Sequence, residues 1–169
     1  RLPYGNGSPI LSAKSLLSDG PFGLLWGDDL VFTKGKSAIK QMVEYFEQTD
    51  ADGLLGVQEM SNEEAIKYGA IKLKKGTENQ VETVIEKPEI GDLPSNLVSY
   101  GRMILTPKIF DYLKASNTGK DNELWLQDAN AKLAQNGKVL FKEIDVEWIT
   151  TGDPVNYIKA QLKFSLANE

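Results

Sequence analysis

The 169-residue chain has no cysteine and no histidine. The first absence excludes a disulfide framework, a thiol nucleophile and Cys-ligated zinc. The second excludes triads and general bases built on imidazole. Acid–base or metal chemistry must therefore come from Asp, Glu, Lys, Tyr or the main chain. Long hydrophobic runs are missing too, and nothing approaches the roughly 20 apolar residues that cross a bilayer. Positive charge is in the minority: 19 Lys and Arg stand against 24 Asp and Glu, for a net charge of −5. That bias argues against nucleic acid or an anionic membrane as partner. The opening residues, Arg1-Leu2-Pro3-Tyr4-Gly5, carry no apolar signal region, so a cytoplasmic protein is expected.

Hydrophobic residues make up 41% and charged residues 25%, the balance of a folded globular protein. The length suits one domain over residues 1–169. Apolar spacing places helices after Ser8-Pro9, after Ser37, near Ser61, over residues 124–133 and from Pro154. Thr106-Pro107 opens a further amphipathic helix carrying Ile109, Phe110 and Leu113. Buried strands are expected over residues 22–26, 53–57, 97–105, 139–141 and 146–149. Residues 70–74 and 81–86 read as a hairpin turning at Lys75-Gly76. Helices alternating with strands indicate a three-layer α/β domain with a largely parallel sheet and one β-hairpin insertion.

Three short motifs do not carry their usual chemistry. Gly35-Lys36-Ser37 ends like a phosphate loop, but Leu30 occupies the position of its first glycine. Gly5-Asn6-Gly7 begins like a dinucleotide fingerprint, yet Ile10 stands at the third glycine. Asp50-Ala51-Asp52-Gly53 starts like a calcium loop, and Leu54 and Leu55 then fall where oxygen ligands are needed.

Asp28 directly follows an apolar strand, at the carboxyl end where ligands collect in open α/β sheets. A carboxylate there can hold a hard cation beside phosphates; it can equally cap the next turn. Glu86-Lys87-Pro88 ends the hairpin strand, with acid and base on opposite faces of the extended chain. Gly69 reads either as a helix cap or as a point of close backbone approach to a ligand.

Taken together, several segments resemble the nucleoside-diphospho-sugar pyrophosphorylases, or sugar-1-phosphate nucleotidyltransferases. They are Pro3-Tyr4-Gly5-Asn6-Gly7, Pro21-Phe22 through Gly27-Asp28-Asp29, Tyr68-Gly69, Val84-Ile85-Glu86-Lys87-Pro88, Ser95-Asn96-Leu97 through Gly101-Arg102, Asn122-Glu123-Leu124 through Gln127-Asp128-Ala129, and Trp148 through Gly152-Asp153-Pro154. Their order and spacing are most similar to the bacterial UTP–glucose-1-phosphate uridylyltransferase branch and similar archaeal proteins. The resemblance implies a Rossmann-like mixed, mostly parallel sheet. It implies transfer of a uridylyl group from UTP to glucose 1-phosphate, giving UDP-glucose and pyrophosphate. By the same resemblance Asp28 would ligate Mg²⁺ and Lys87 would hold the sugar phosphate. Glu86 would bind sugar hydroxyls, Gly69 and Asn96 would line the sugar pocket, and Gly5 and Gly7 would let the chain approach the base.

The resemblance also has gaps. The family's Gly-rich, Arg-containing triphosphate loop has no counterpart in these 169 residues. The expectation is the C-terminal portion of a nucleotidyltransferase domain, with a sheet incomplete at its N-terminal side and little turnover alone. Thr150 stands where the family often has a second metal-binding Asp. Met103 replaces a usual aromatic, Ser8 a frequent His and Gln127 a frequent Thr. The alternatives are a non-catalytic module that binds a sugar phosphate or nucleotide sugar, and an interaction domain that keeps only the fold. The uncovered apolar strand near Phe22 suggests a homo-oligomer or a rearranged sheet.

Overall fold

The chain, seen in a computed structural model that describes residues 2–167, folds around one mixed sheet. In chain order the main elements are α1 (Gly7–Ala13), β1 (Phe22–Leu25), β2 (Asp29–Phe32), α2 (Ala38–Phe46), β3 (Gly53–Glu59), α3 (Asn62–Ala65), β4 (Gly69–Leu73) and β5 (Val81–Glu86). Then come β6 (Leu97–Leu105), α4 (Leu126–Asn136), β7 (Val139–Glu143), β8 (Glu147–Thr150) and α5 (Pro154–Leu166). The sheet runs β5-β4-β6-β3-β7, with β1 also paired to β6, while β2 and β8 form a separate antiparallel ribbon.

β6 is the long central strand because eight of its nine residues are buried, mostly apolar or small side chains on both faces, with Arg102 among them. Met103 and Leu105 enter one core with Leu55, Ile10 of α1, and Leu126 and Leu133 of α4. Val98, Tyr100 and Ile104 enter the other with Leu54, Met42 and Phe46 of α2, and Trp148. Two cores on two faces make the expected three layers. Each large apolar side chain contributes about 1.5–3 kcal/mol on full burial. α2 is started by Ser37, whose hydroxyl accepts from the Lys40 N–H.

The sheet departs from the expected mostly parallel arrangement. Among the described residues, only β3 and β7 run parallel; β1, β3 and β4 all pair with β6 antiparallel, and β4–β5 is a hairpin. Alternation of helix and strand does not fix strand direction. A parallel neighbour needs a crossover of a dozen residues or more, usually helical. α3, with four residues, is too short to return the chain that way.

Other elements differ in detail. The 22–26 strand is only partly buried: Leu24 is 8% exposed and belongs to a core, whereas Leu25 is 52% exposed on β1, whose ladder partner among the described residues is β6 alone. β2 has no periodic signal, since all four of its residues are half-buried. The 107 segment is a 3₁₀ turn, Pro107–Asp111, that still buries Ile109 and Phe110. Gly69 is no helix cap: it opens β4, and Ile66 closes α3.

Candidate active site

A cavity of about 240 Å³ opens over the middle of β6, where Ser99, Tyr100, Gly101 and Met103 line it. The β1–β2 turn brings Asp28 to it, the start of β4 brings Gly69, and the end of β5 brings Glu86 and Lys87. Gly69, Glu86 and Ser99 lie side by side on adjacent strands, because Gly69 pairs with Glu86 on one side and Ser99 on the other. Four of the expected site residues thus share one cavity. The remaining wall comes from Lys67, Tyr68, Tyr100, Gly101, Gln127 and Trp148, with Thr150 facing from β8.

The other three expected residues lie elsewhere. Asn96 donates from its side chain to Glu59 Oε1 at 2.8 Å and does not line the cavity. Gly5 and Gly7 pack against Leu124, where a Cβ would meet Leu124 O at 2.5 and 2.9 Å respectively. Gly5 also has φ +122°, a conformation that suits glycine. This tight segment delivers the intervening Asn6 to the cavity, and Asn6 Oδ1 accepts from the Leu126 N–H at 2.9 Å. The bond caps α4 from 120 positions away in sequence, since its own N-cap residue, Trp125, makes no side-chain cap.

Glycine at position 69 has a steric cause. A Cβ there would stand 2.7 Å from Gln127 Nε2 and 3.2 Å from Glu86 Oε2. The close approach lets both side chains reach the cavity floor. Burial pushes the Glu86 carboxyl above its ordinary range, against the opposing pull of Lys87. Lys87 follows with φ 43°, a conformation costly for a residue with a Cβ. Its N–H is held by Tyr68 O at 3.1 Å, which fixes the end of β5 beside the start of β4.

The opposite wall is aromatic. Trp148 stacks on Tyr100 at 5.3 Å between ring centroids and meets Tyr68 edge-on at 4.8 Å. Burial pushes the Tyr100 hydroxyl up to about 12. Asp29 sits behind this wall, and its burial raises the carboxyl above its ordinary range; the Trp148 hydrogen bond opposes that rise. Residue patterns alone do not mark Asn6, Asp29, Lys67 or Tyr100 as site residues: Asn6, Asp29 and Tyr100 act through long-range contacts that no local spacing encodes, and Lys67, paired locally with Glu64, has the pattern of an ordinary surface helix residue.

The described residues contain no cluster of three Asp, Glu, His or Cys groups that could hold a metal ion. The donor set still suits a cation that arrives with phosphate. Asp29 already accepts two hydrogen bonds, and Glu86 is biased toward its neutral form. Asp28 is exposed on the cavity rim, and Mg²⁺ is commonly held by one or two carboxylates plus substrate phosphates and water.

Fold and cavity together define an α/β protein of the nucleotide-diphospho-sugar transferase type. The profile of the nucleotidyl transferase family matches residues 2–165, and the chain belongs to that family. It is 35% identical over 167 residues to UTP–glucose-1-phosphate uridylyltransferase 2 of Staphylococcus saprophyticus, covering 98% of this chain and 57% of the relative. It is 34% identical over 164 residues to the UTP–glucose-1-phosphate uridylyltransferase of Staphylococcus epidermidis, covering 96% and 56%. The chain thus spans about half the length of the curated relatives it matches. Among solved structures, a UDP-glucose pyrophosphorylase complexed with UDP-glucose superposes with a TM-score of 0.88 at 30% identity, over 99% of this chain and 64% of that one. A UTP-bound enzyme of the same kind from Acinetobacter baumannii gives 0.81 at 26% identity, over 95% and 56%.

Proposed function

We propose that the chain forms the sugar and metal side of a UTP–glucose-1-phosphate uridylyltransferase. The observation that carries this reading is the convergence of Asp28, Gly69, Glu86 and Lys87 on one cavity. In the reaction, a phosphate oxygen of glucose 1-phosphate attacks the α-phosphorus of UTP, and the bond to the leaving pyrophosphate breaks. Such transfer needs positioning and charge neutralisation more than covalent help from the protein. Lys87 holds the sugar phosphate as a flexible point charge. Glu86 and the main chain at Gly69 receive sugar hydroxyls, and the Trp148–Tyr100 wall excludes water from the opposite side. Mg²⁺, held by Asp28, supplies neutralisation of phosphate charge when bound. Turnover belongs to a protein that also carries a triphosphate loop, and this chain alone binds without appreciable catalysis.

A second reading is a non-catalytic module for a sugar phosphate or nucleotide sugar. Thr150 favours it, because a neutral hydroxyl lines the cavity beside Asp28, from the position paired with Asp29. A cytoplasmic location and a homo-oligomeric state complete the proposal. No helix among the described residues is long and apolar enough to cross a membrane.

Calorimetric titration of the chain with UDP-glucose in Mg²⁺ tests the site. Replacing Lys87 with Ala removes a charge-assisted contact, so affinity falls about tenfold or more, with the melting temperature unchanged. Equal binding by wild type and variant sinks the assignment. Pyrophosphate release by a longer protein carrying this chain separates enzyme from module.

A further inference from the structure

Asp28 lies in a two-residue turn, Gly27-Asp28, and exposed turns of this kind are ordinarily mobile. Here the main chain around it is held from two sides. Arg102, in the middle of β6, is 7% exposed. Its guanidinium does not engage a carboxylate oxygen. Nη1 donates to Trp26 O at 3.1 Å and to Gly101 O at 2.6 Å, and Nη2 donates to Asp29 O. The two carbonyls that flank the turn therefore hang on one rigid fork. From the other side, Thr151 donates to Asp28 O twice, through its N–H at 2.7 Å and its hydroxyl at 2.9 Å.

The arrangement is costly unless geometry is its purpose. Desolvating a guanidinium costs several kcal/mol, and a carboxylate partner is the usual compensation. The Asp29 carboxylate is close by, yet it accepts from Gly101 N–H and Trp148 Nε1 instead. The planar fork satisfies carbonyls at fixed separation, which a lysine point charge cannot do. The β1–β6 ladder already runs from Phe22 to Leu25 without it. Beyond the ladder the Trp26 N–H still reaches β6, donating to Gly101 O at 3.0 Å, and the fork acts on the carbonyls of Trp26 and Asp29, on either side of Gly27-Asp28.

We propose that Arg102 and Thr151 are positioning residues. They clamp the main chain on either side of Asp28, so that its carboxylate meets a phosphate-bound cation in one fixed orientation. The inference rests on the proposed role of Asp28 and extends it to residues that touch neither sugar nor phosphate. Outer-shell partners of metal ligands commonly carry about 10- to 100-fold in metal affinity. That range applies here to binding of the metal in the presence of nucleotide sugar.

The test measures Mn²⁺ binding to the chain by the loss of its free electron-spin-resonance signal, with saturating UDP-glucose present. Arg102→Lys is expected to weaken Mn²⁺ about tenfold, and Thr151→Val about threefold, since the Thr151 N–H bond survives. UDP-glucose affinity without metal stays at the wild-type value in both. Asp28→Asn is the control and loses at least as much Mn²⁺ affinity as Arg102→Lys. If Asp28→Asn binds Mn²⁺ like wild type, the role of Asp28 itself fails. If Asp28→Asn weakens binding while neither clamp variant does, the role of Asp28 stands and the clamp is overturned. Should Arg102→Lys not fold, Thr151→Val decides alone, because Thr151 is partly exposed and outside both cores.

Discussion

The indole Nε1 of Trp148 donates to Asp29 Oδ1 at 2.7 Å, joining β8 to the first residue of β2, 119 positions earlier. The other oxygen of the same carboxylate accepts from Gly101 N–H at 3.1 Å. One half-buried side chain thus ties the ribbon, the turn and the central strand together behind the aromatic wall. Gly101 makes this possible: a Cβ there would stand 2.5 Å from Asp29 Oδ2 and 2.4 Å from Trp26 Cδ1.

Trp148→Phe keeps the ring against Tyr100 and removes the donor. Asp29 then keeps its single bond from Gly101, in a site where its burial is already unfavourable. Loss of stability of about 1–3 kcal/mol is expected, the cost of leaving a buried acceptor short of a partner. Urea denaturation measures it, and an unchanged midpoint would mean that water replaces the indole freely.

Much of this site is legible in the sequence, and for stated reasons. Asp28 is marked by its place after an apolar strand, and Glu86-Lys87 by the end of a hairpin whose turn Gly76 makes with φ +79°. The strand from Leu97 to Leu105 keeps both its bounds, because a run buried on both faces needs no help from periodicity. Strand direction was not legible, since it depends on which partners β6 recruits rather than on any local pattern. β2 has no such mark, because its apolar run, Leu30-Val31-Phe32, is only three residues long and does not alternate. The cap that Asn6 gives α4 and the bonds Arg102 makes to Trp26 and Asp29 join segments from 73 to 120 positions apart. No spacing rule reaches that far.

Gly69→Ala tests the packing of the cavity floor. The new methyl group meets the amide of Gln127, which is 7% exposed and whose Oε1 already accepts from Asn130 Nδ2 at 2.8 Å. Overpacking of this kind costs about 1–3 kcal/mol. The double variant with Gln127→Ala should recover part of that loss, because the two sites touch and their effects are not additive. Strict additivity in a denaturation cycle would remove Gln127 as the cause of the glycine requirement.

Glu86 gives the protein a pH dependence whose sign follows from its environment. Burial raises its folded-state value above the ordinary 4.5, so the folded state binds the proton more tightly than the unfolded state. Its contribution to stability is therefore full below 4.5 and is lost as pH rises through the raised folded value. Glu86→Gln has no proton to lose. The melting temperature of the variant minus that of wild type should grow as pH rises from about 4 to 7, then level off. A difference that stays flat, or falls, across that interval would show that the carboxyl ionises without penalty. Asp52 and Asp50, held low by Lys108 and Lys138, work in the opposite sense. They are common to both proteins and cancel in the difference.

The edge of β1 that has no strand partner among the described residues bears on association. Its four residues pair with β6 on one side, and Leu25 is 52% exposed at its end. An unpaired edge with little charge is a template for another strand. Two copies related by a two-fold axis can set Phe22–Leu25 against itself in antiparallel register, which covers Leu25 and needs no second kind of partner. Light scattering on a sizing column should show the mass doubling as concentration rises through the micromolar range. Leu25→Lys places a charge on the edge and should return the chain to monomer without lowering its melting temperature, because that side chain is half outside the core. A monomer at every concentration tested, with wild type and variant alike, would mean that the short edge does not self-pair, and the homo-oligomer would lose its structural basis.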